Sequence, residues 1–207
     1  MTVTDIVPLD NKRSKVYVDG EFAFILYRGE IRNYRLRTGE EISSPVFDEI
    51  NNSLIPKRAK KRAMNLLQKR DYTEYKLREK LKEGFYTDEI IDDTIEYLKS
   101  YRYLDDERYA EDYIRYHMEF RSRNRIRQDL MQKGISSEII SRLLEEAYME
   151  EENNPELLLC VNLLQKKHYD PHTVTYEEKQ KMMAFLYRKG FSNDIITKAL
   201  SLDTSGI

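Results

Sequence analysis

Apolar residues recur along most of the chain at the spacing of an amphipathic helix. Leu77 and Leu81 are four residues apart, and Ile91 and Ile95 repeat that interval. Residues separated by one turn share a face of an α-helix, so each pair predicts a helix that buries one side.

The same pattern of apolar and polar positions occurs three times, without a gap inside any copy. The copies are offset by 49 residues (73 to 122) and then by 56 (126 to 182). The matching positions are Thr73, Leu77, Leu81, Tyr86, Thr87, Glu89, Ile90 and Ile91 in copy one, Ser122, Ile126, Leu130, Ile135, Ser136, Glu138, Ile139 and Ile140 in copy two, and Met182, Leu186, Phe191, Ser192, Asp194, Ile195 and Ile196 in copy three. Such agreement indicates three copies of one structural unit.

Each copy carries signals for the end of one helix and the start of the next. Gly134 and Gly190 occupy the same position, where a left-handed cap residue is favoured. In copy one, Gly84 comes one residue early and Phe85 takes the cap position, so we expect a locally different helix end. A hydroxyl then caps the following helix in every copy, from Thr87, Ser136 and Ser192.

A third amphipathic segment precedes each helical pair, so every copy is predicted to be a repeat of three short helices. These first segments carry Ala63, Leu66 and Leu67 in copy one, Tyr109, Ala110, Tyr113 and Ile114 in copy two, and Leu158, Leu159, Val161 and Leu163 in copy three. The third helices are predicted to bury Ile90, Ile91, Ile95 and Leu98, then Ile139, Ile140, Leu144 and Ala147, then Ile195, Ile196, Ala199 and Leu200. The polar segment 167–173 is expected to be a loop inside copy three.

The N-terminal segment has a different pattern. Asp19-Gly20 lies between the apolar runs 16–18 and 21–24 and predicts a two-stranded hairpin. Ser44-Pro45 is expected to open a helix that ends near Asn51-Asn52. The sequence therefore predicts a mostly α protein, with three tandem three-helix repeats (residues 56–104, 105–152 and 153–207) in an elongated, curved array behind an α+β module with a β-hairpin (residues 1–55).

Composition and the N-terminal sequence argue against a membrane protein or a secreted protein. The net charge is −2, no run of 18 apolar residues occurs, and the N-terminus lacks a basic, apolar signal. We therefore expect a cytoplasmic monomer that does not enter a membrane. The one cysteine, Cys160, lies in an apolar run and is expected to be a buried thiol.

Two basic clusters are the candidate partner-binding residues. The first is Lys57, Arg58, Lys60, Lys61 and Arg62, and the second is Arg121, Arg123, Arg125 and Arg127 with Lys133. Cations at a helix start oppose the helix dipole, which favours a partner with negative charge, either phosphate or an acidic protein face. The alternative is a solvated charged face. An acidic run from Glu145 to Glu152 is either a polar helix end and hinge or a charge that orients the chain on its partner.

Candidate catalytic residues have simpler structural explanations. Asp105 is expected to cap a helix whose first turn holds Asp106 and Glu107. His168 and His172 have metal-ligand spacing on a helix, but Asp170-Pro171 would break that helix. Most tyrosines are expected to pack between helices rather than to stack on bases. We therefore predict no enzymatic activity, no metal and no cofactor.

The repeated segments resemble the RecX family, regulators of the RecA recombinase. The resemblance covers nearly the whole chain and is carried by YTEYKLREKL (72–81), YLDDERYA (103–110), RIRQDLMQKGI (125–135) and FLYRKGF (185–191). It implies tandem three-helix repeats, a role without catalysis, and binding in the groove of the RecA–DNA filament that alters its assembly, ATP hydrolysis and strand exchange. The hairpin extension is similar to that of some members, though less closely.

These observations lead to a main hypothesis and two alternatives. The main hypothesis is a non-catalytic modulator, most simply an inhibitor, of the RecA–DNA filament, with both basic clusters facing the filament or its DNA. The first alternative is a direct DNA-binding protein of helix-turn-helix type. Acidic third helices and the near-neutral charge argue against it. The second alternative is a helical scaffold unrelated to recombination.

Overall fold

Three antiparallel strands begin the chain, one more than the predicted hairpin. They are β1 (Val3–Pro8), β2 (Arg13–Val18) and β3 (Glu21–Tyr27), in the order β1-β2-β3. The predicted turn between β2 and β3 is confirmed, with positive φ at Asp19 (51°) and Gly20 (87°). Strand β1 was missed because only Val3 of its six residues is buried, so the strand is defined by pairing with β2 rather than by an apolar pattern.

The structure is a computed structural model that describes residues 1–149 and 154–202. It contains two compact units, residues 1–72 with 76–104, and residues 73–75 with the chain from Asp105 onward. The predicted boundary between residues 152 and 153 and the acids Glu150, Glu151 and Glu152 lie outside the described residues.

The predicted helix end near Asn51-Asn52 is wrong. After α1 (Arg28–Asn33), helix α2 (Ser44–Glu49) continues through a π-helical turn (Ile50–Leu54) directly into α3 (Ile55–Leu67). Pro56 lacks an N–H and cannot donate a helical hydrogen bond. In the wider π-helical turn before it, Ile55 N–H donates to Ile50 O, and the helix continues through Pro56 without a break. Ile50 and Ile55 are both buried in the core of the N-terminal module, which stabilises the continuous helix.

Nine helices of the described residues form the three predicted three-helix repeats. Repeat one has α3, α4 (Glu74–Lys82) and α5 (Asp88–Ser100), repeat two has α6 (Asp106–His117), α7 (Arg123–Gln132) and α8 (Ser137–Ala147), and repeat three has α9 (Pro155–Gln165), α10 (Tyr176–Arg188) and α11 (Asn193–Ser201). The hydroxyls of Thr87, Ser136 and Ser192 accept the cap hydrogen bonds of α5, α8 and α11, as predicted. The left-handed positions are also confirmed, at Gly134 (φ 82°), Gly190 (φ 92°) and Phe85 (φ 62°).

Each repeat has its own apolar core. The predicted faces of α5 and α11 are buried throughout, whereas Ile139 and Ala147 of α8 are only partly buried. The predicted face of α9 is partly wrong, because Leu158 is exposed while Cys160 and Leu164 are completely buried. Helix α9 is apolar on most sides, so its spacing alone did not identify the inner face.

Polar contacts join repeats two and three within the second unit. Ser122 Oγ donates to Lys189 O at 2.8 Å, and Arg123 N–H donates to Glu156 Oε1 at 2.9 Å. A Cβ at Gly190 would lie 2.6 Å from Ser122 Oγ, closer than side chains pack, so this approach requires glycine. We call these contacts the Ser122 junction.

Residues 73–75 make the same kind of contacts in the second unit. Thr73 Oγ1 donates to Lys133 O at 2.6 Å, and Glu74 N–H donates to Asp106 Oδ1 at 2.7 Å. A Cβ at Gly134 would lie 2.3 Å from Tyr75 Cβ. The repeated sequence pattern thus encodes a repeated set of junction contacts as well as repeated helices.

Candidate partner-binding site

The first basic cluster lies on α3 and is divided between packed and exposed side chains. Arg58 is mostly buried, pairs with Glu30 at 2.8 Å and donates to Ile25 O at 2.6 Å. Its guanidinium also lies over the rings of Tyr27 (5.3 Å) and Tyr86 (5.9 Å). Arg58 therefore fastens α3 to strand β3 and helix α1 of the N-terminal module.

The other cations of this cluster have different surroundings. Lys60 Nζ lies 4.5 Å from the centre of the Tyr97 ring, and Arg62 Nε is buried without a hydrogen-bond partner among the described residues. Lys57 and Lys61 are exposed and lie one turn apart. Only these two present freely accessible charge on one side of α3.

In the second cluster, a buried carboxylate organises two of the arginines. Asp129 of α7 is nearly inaccessible and pairs with Arg121, and its other oxygen lies 3.3 Å from Arg125 Nε. Arg121 also donates to Tyr113 Oη at 3.0 Å. Both guanidinium groups are held in place but keep 40% and 54% of their side-chain surface exposed, so they can still contact a partner.

The remaining members of the second cluster pack within the second unit. Arg123 lies over the Tyr148 ring at 5.6 Å, and its Nε is buried with no partner in the described part of the chain. Arg127 donates to Ser141 Oγ at 3.1 Å and so links α7 to α8. The four predicted arginines thus lie just before or within the first turns of α7, but their side chains have different surroundings.

A row of rings along α6 was not identified from the sequence. The Tyr109 and Tyr113 rings are stacked with centroids 6.3 Å apart, and Tyr113 contacts His117 at 4.1 Å. Lys133 Nζ lies 5.6 Å and 5.1 Å from the two tyrosine rings. Burial and then the Asp129 charge raise the pKa of Tyr113, while burial and then the Arg121 charge lower the pKa of His117. Neutral His117 is therefore the favoured form at neutral pH.

Two aromatic side chains near the C-terminal end of α6 are largely exposed. Tyr116 has 71% of its surface accessible and Phe120 has 67%, and neither belongs to an apolar core cluster of the described residues. A sequence signal was available for Tyr116, because Ala110 and Ile114 define the inner face of α6 and Tyr116 falls off it. Phe120 follows the end of that helix. We call Tyr116, Phe120, Arg121 and Arg125 the α6–α7 face. Exposed aromatic and arginine side chains are typical of binding surfaces.

The acidic residues considered as catalytic candidates serve as helix caps or ion-pair partners. Asp105 Oδ1 accepts from the N–H groups of Glu107 (3.1 Å) and Arg108 (3.0 Å), and Asp106 accepts from Glu74 N–H. Glu107 pairs with Arg142, which also contacts Glu146 at 3.3 Å. Within residues 1–149 and 154–202, no three His, Cys, Asp or Glu side chains gather as a metal ligand set.

The loop holding the two spaced histidines is not helical. His168 has a positive φ (54°), and Asp170 accepts a hydrogen bond from His172 N–H at 2.9 Å in a turn. None of the helices in the described ranges is both long enough and apolar enough to cross a membrane.

Comparison with known proteins identifies the repeats. Three family models, described as the first, second and third three-helix domains of RecX, match residues 59–98, 105–144 and 156–200. The regulatory protein RecX of Caldanaerobacter subterraneus subsp. tengcongensis is 33% identical over 205 residues, spanning 98% of this chain and all of that protein. The regulatory protein RecX of Clostridium perfringens SM101 is 33% identical over 202 residues, spanning 94% of this chain and 91% of its own length.

Solved structures show the same fold. A crystal structure of a regulatory protein RecX has a TM-score of 0.65 and 25% identity, with 96% of this chain and 98% of that chain covered. The crystal structure of RecX from Lactobacillus salivarius has a TM-score of 0.63 and 25% identity, with 70% and 94% covered. With all three repeats matched in order and relatives aligned over nearly their whole length, the chain belongs to the RecX family of regulatory proteins.

Proposed function

We propose that this chain is a non-catalytic regulator that binds the RecA–DNA filament and inhibits its recombinase and ATPase activities. The observation that supports binding is the α6–α7 face, where the exposed Tyr116 and Phe120 lie in the segment that leads into the organised guanidinium groups of Arg121 and Arg125. Membership in a family of regulatory proteins supports the regulatory role. The protein acts in the cytoplasm as a monomer, in recombination, DNA repair and the SOS response.

The charge balance of the α6–α7 face suits a nucleoprotein partner. Arg121 and Arg125 share the single carboxylate of Asp129, so among the described residues one of the two positive charges has no carboxylate of its own. Guanidinium groups that are already oriented lose less side-chain entropy on binding phosphate or carboxylate. The exposed rings add apolar area that a protein subunit covers well. A filament offers both kinds of surface, protein and DNA.

A role without chemistry is supported by the partners of the acidic residues. Asp105 caps α6, Asp106 binds Glu74 N–H, and Glu107 pairs with Arg142. Acids with such structural partners are poorly placed to transfer protons or hold a metal. The regulator therefore acts by occupying or bridging filament subunits.

The test is ATP hydrolysis by the cognate recombinase on single-stranded DNA, with this protein titrated in. We expect inhibition well below the amount that would coat the DNA, because the target is the filament. Sedimentation of preformed filaments in the same samples measures binding. Unchanged hydrolysis together with no co-sedimentation would refute the proposed function.

A matched pair of variants tests the α6–α7 face. Tyr116→Ala/Phe120→Ala/Arg125→Gln removes two exposed rings and the charge of a half-exposed guanidinium group, without placing a second carboxylate beside Asp129, and we expect at least a tenfold loss of inhibition. The control, Arg188→Gln, neutralises an exposed arginine on the second helix of repeat three. Arg123 is left unchanged because it packs on Tyr148 at the Ser122 junction. Full inhibition by the triple variant, with wild-type helix content, would exclude this face.

Direct DNA binding is the alternative that the same samples can detect. The third helices α5 and α8 expose Asp88, Glu89, Asp92, Asp93 and Glu96, and Glu138, Glu145 and Glu146, respectively. A DNA phosphate backbone would be repelled by these helices, which disfavours a helix-turn-helix mode. Binding to free duplex DNA as tight as binding to the filament would favour the alternative.

A further inference from the structure

The rings of α6 form a continuous series of contacts that ends in exposed side chains. The Tyr113 ring contacts His117 at 4.1 Å, and the Tyr116 ring meets His117 edge-on with centroids 5.0 Å apart. Phe120 follows in the turn after α6, where its N–H donates to His117 O at 2.9 Å. Tyr116 and Phe120 are both largely exposed, so their ring faces are available to a partner.

Arg121 connects this ring series to the charged part of the α6–α7 face. Its guanidinium donates to Tyr113 Oη at 3.0 Å and pairs with Asp129. The other oxygen of Asp129 lies 3.3 Å from Arg125 Nε, and Lys133 Nζ lies 5.1 Å from the centre of the Tyr113 ring. Exposed rings and oriented cations are therefore linked by direct contacts into one surface.

The stretch that forms this surface is basic, although the chain as a whole is slightly acidic. Residues 112–133 carry six basic and three acidic side chains, a net charge of +3 with histidine neutral, against −2 for the whole chain. Two of the three acids are engaged, Asp112 with Arg115 at 3.6 Å and Asp129 within the face. The third acid, Glu119, is exposed. The excess of positive charge is complementary to phosphate, and the exposed rings are suited to bases.

We propose that the α6–α7 face binds single-stranded DNA, with bases stacked on Tyr116 and Phe120 and phosphates held by Arg121 and Arg125. This inference deepens the proposed function and rests on its choice of this face, because it names the component of the filament that the face touches. A single strand offers unstacked bases together with phosphates, whereas a duplex keeps its bases stacked inside. Every base has a π face, so the binding should tolerate changes of sequence.

A protein surface is the other occupant that exposed rings could meet. Such a surface would cover the rings by burying apolar area, and leucine supplies buried apolar area of a similar size. Stacking on a base requires an aromatic face, which leucine lacks. Replacing both rings by leucine therefore distinguishes single-stranded DNA from protein.

The first experiment measures binding of labelled oligothymidylate to the full chain by fluorescence anisotropy, without recombinase. A matched strand of abasic sites carries the same phosphates but no bases. We expect saturable binding of oligothymidylate in low salt, and at least about tenfold weaker binding of the abasic strand because stacking is lost. Equal affinity for the two strands, or no saturable binding, would overturn the proposal. Tighter binding of oligouridylate would assign the face to RNA instead.

Matched leucine variants locate the stacking. Tyr116→Leu/Phe120→Leu should weaken oligothymidylate binding at least about tenfold and leave the weaker abasic binding unchanged. The control, Tyr176→Leu/Tyr187→Leu, replaces two exposed tyrosines of α10 and should bind like wild type. Wild-type affinity of Tyr116→Leu/Phe120→Leu, with wild-type helix content, would contradict stacking at this face and favour a protein surface.

The salt dependence of binding tests the phosphate contacts. Arg125→Gln should lower the slope of log affinity against log salt by about 0.7, the value for one phosphate contact with a single strand. Arg188→Gln, on α10, should leave the slope unchanged. An unchanged slope in Arg125→Gln would overturn the assignment of phosphates to the arginines of this face.

Failure of this inference is distinguishable from failure of the proposed function, because the binding assay contains no recombinase. Binding of oligothymidylate as expected, without inhibition of ATP hydrolysis, would refute the proposed function and support single-strand binding. Inhibition of hydrolysis without binding of oligothymidylate would support the proposed function and refute the inference.

Discussion

Gly190 is required for two independent reasons, its backbone conformation and the space around it. Its φ is 92°, and an added Cβ would lie 2.6 Å from Ser122 Oγ. Gly39 has a similar φ of 84° but nothing within 4 Å of such a Cβ. We predict that Gly39→Ala costs about 1 kcal/mol of unfolding free energy through backbone strain alone. Gly190→Ala should cost at least about 1 kcal/mol more because the junction must also shift.

Urea unfolding monitored by circular dichroism measures the unfolding free energy of both glycine variants. A wild-type slope of free energy against urea in each would show that the comparison is valid. Equal losses for Gly190→Ala and Gly39→Ala would mean that the close approach to Ser122 contributes nothing.

Cys160 is a thiol that burial keeps protonated. It is fully buried, and burial, followed by the nearby charge of Glu156, raises its pKa to about 12. Thiolate is the reactive form, so we predict that iodoacetamide does not modify native protein at about pH 8. Modification should follow unfolding in urea, as measured by mass spectrometry.

A reactive reference makes the cysteine result interpretable. Leu158, on the same helix, is half exposed, so Cys160→Ser/Leu158→Cys places the thiol in solvent and should be modified rapidly. Fast labelling of Cys160 in the native wild type would contradict the buried position.

Local signals were predicted from sequence, whereas long-range partners were not. The caps at Thr87, Ser136 and Ser192 depend on neighbours within three residues, and all three were predicted correctly. The contacts of Arg58 with Glu30 and Ile25 span 28 and 33 residues. No periodicity reports such a contact, so charge alone suggested a binding role for a side chain that is largely packed.

At the scale of elements, the predictions that rest on a local apolar pattern are correct, and those that depend on long-range contacts are not. Helices with one apolar face, such as α5 and α11, were identified together with their buried residues. Strand β1 has one buried residue, and it exists because β2 offers an edge to pair with. The π-helical turn depends on Ile50 and Ile55 entering one core on either side of Pro56, which the sequence alone did not indicate.

Helix α9 is joined to α7 by a carboxylate with a perturbed pKa. Burial raises the pKa of Glu156 above its usual 4.5, although the hydrogen bond from Arg123 N–H and the Arg123 charge oppose this. Tyr148 and Cys160 are its other titratable neighbours. The folded state thus binds a proton more tightly than the unfolded state, so this group's contribution to stability falls as pH rises from 4.5 through the folded pKa.

We predict that Glu156→Gln abolishes this fall. Glutamine keeps an acceptor for Arg123 N–H but carries no charge, so the stability of the variant relative to wild type should rise between about pH 4.5 and neutrality. Urea unfolding at several pH values measures the difference.

Glu156→Ala is the reference for the lost hydrogen bond. It leaves Arg123 N–H without its acceptor and should be less stable than Glu156→Gln at every pH. A constant difference between wild type and Glu156→Gln across the range would show that Glu156 does not titrate in this window.

At the scale of the molecule, stability is divided among separate cores. Leu98 is completely buried in repeat one within the first unit, and Leu144 is completely buried in repeat two within the second. We predict that Leu144→Ala, which costs about 3 kcal/mol, accelerates amide exchange in α6–α8 while the strands β1–β3 keep their protection. Hydrogen–deuterium exchange by mass spectrometry resolves these segments.

The reciprocal variant tests whether the two units respond separately. Leu98→Ala removes the same number of atoms from the other unit and should accelerate exchange in α3–α5 instead. An equal loss of protection across the whole chain in both variants would mean that the units unfold as one.

The left-handed position of each repeat also restricts which repeat, if duplicated in the gene, could pack against the repeat before it. An extra copy of repeat two would carry both Gly134 and Ser122. Its Gly134 could pack against Ser122 of the repeat before it, and its own Ser122 could pack against Gly190 of repeat three. An extra copy of repeat one would present Phe85 at that position, and its side chain would occupy the space where Ser122 approaches Gly190 or Tyr75 approaches Gly134. Tandem duplication can therefore lengthen this protein from its middle, whereas the first repeat can only stand at the start of the series.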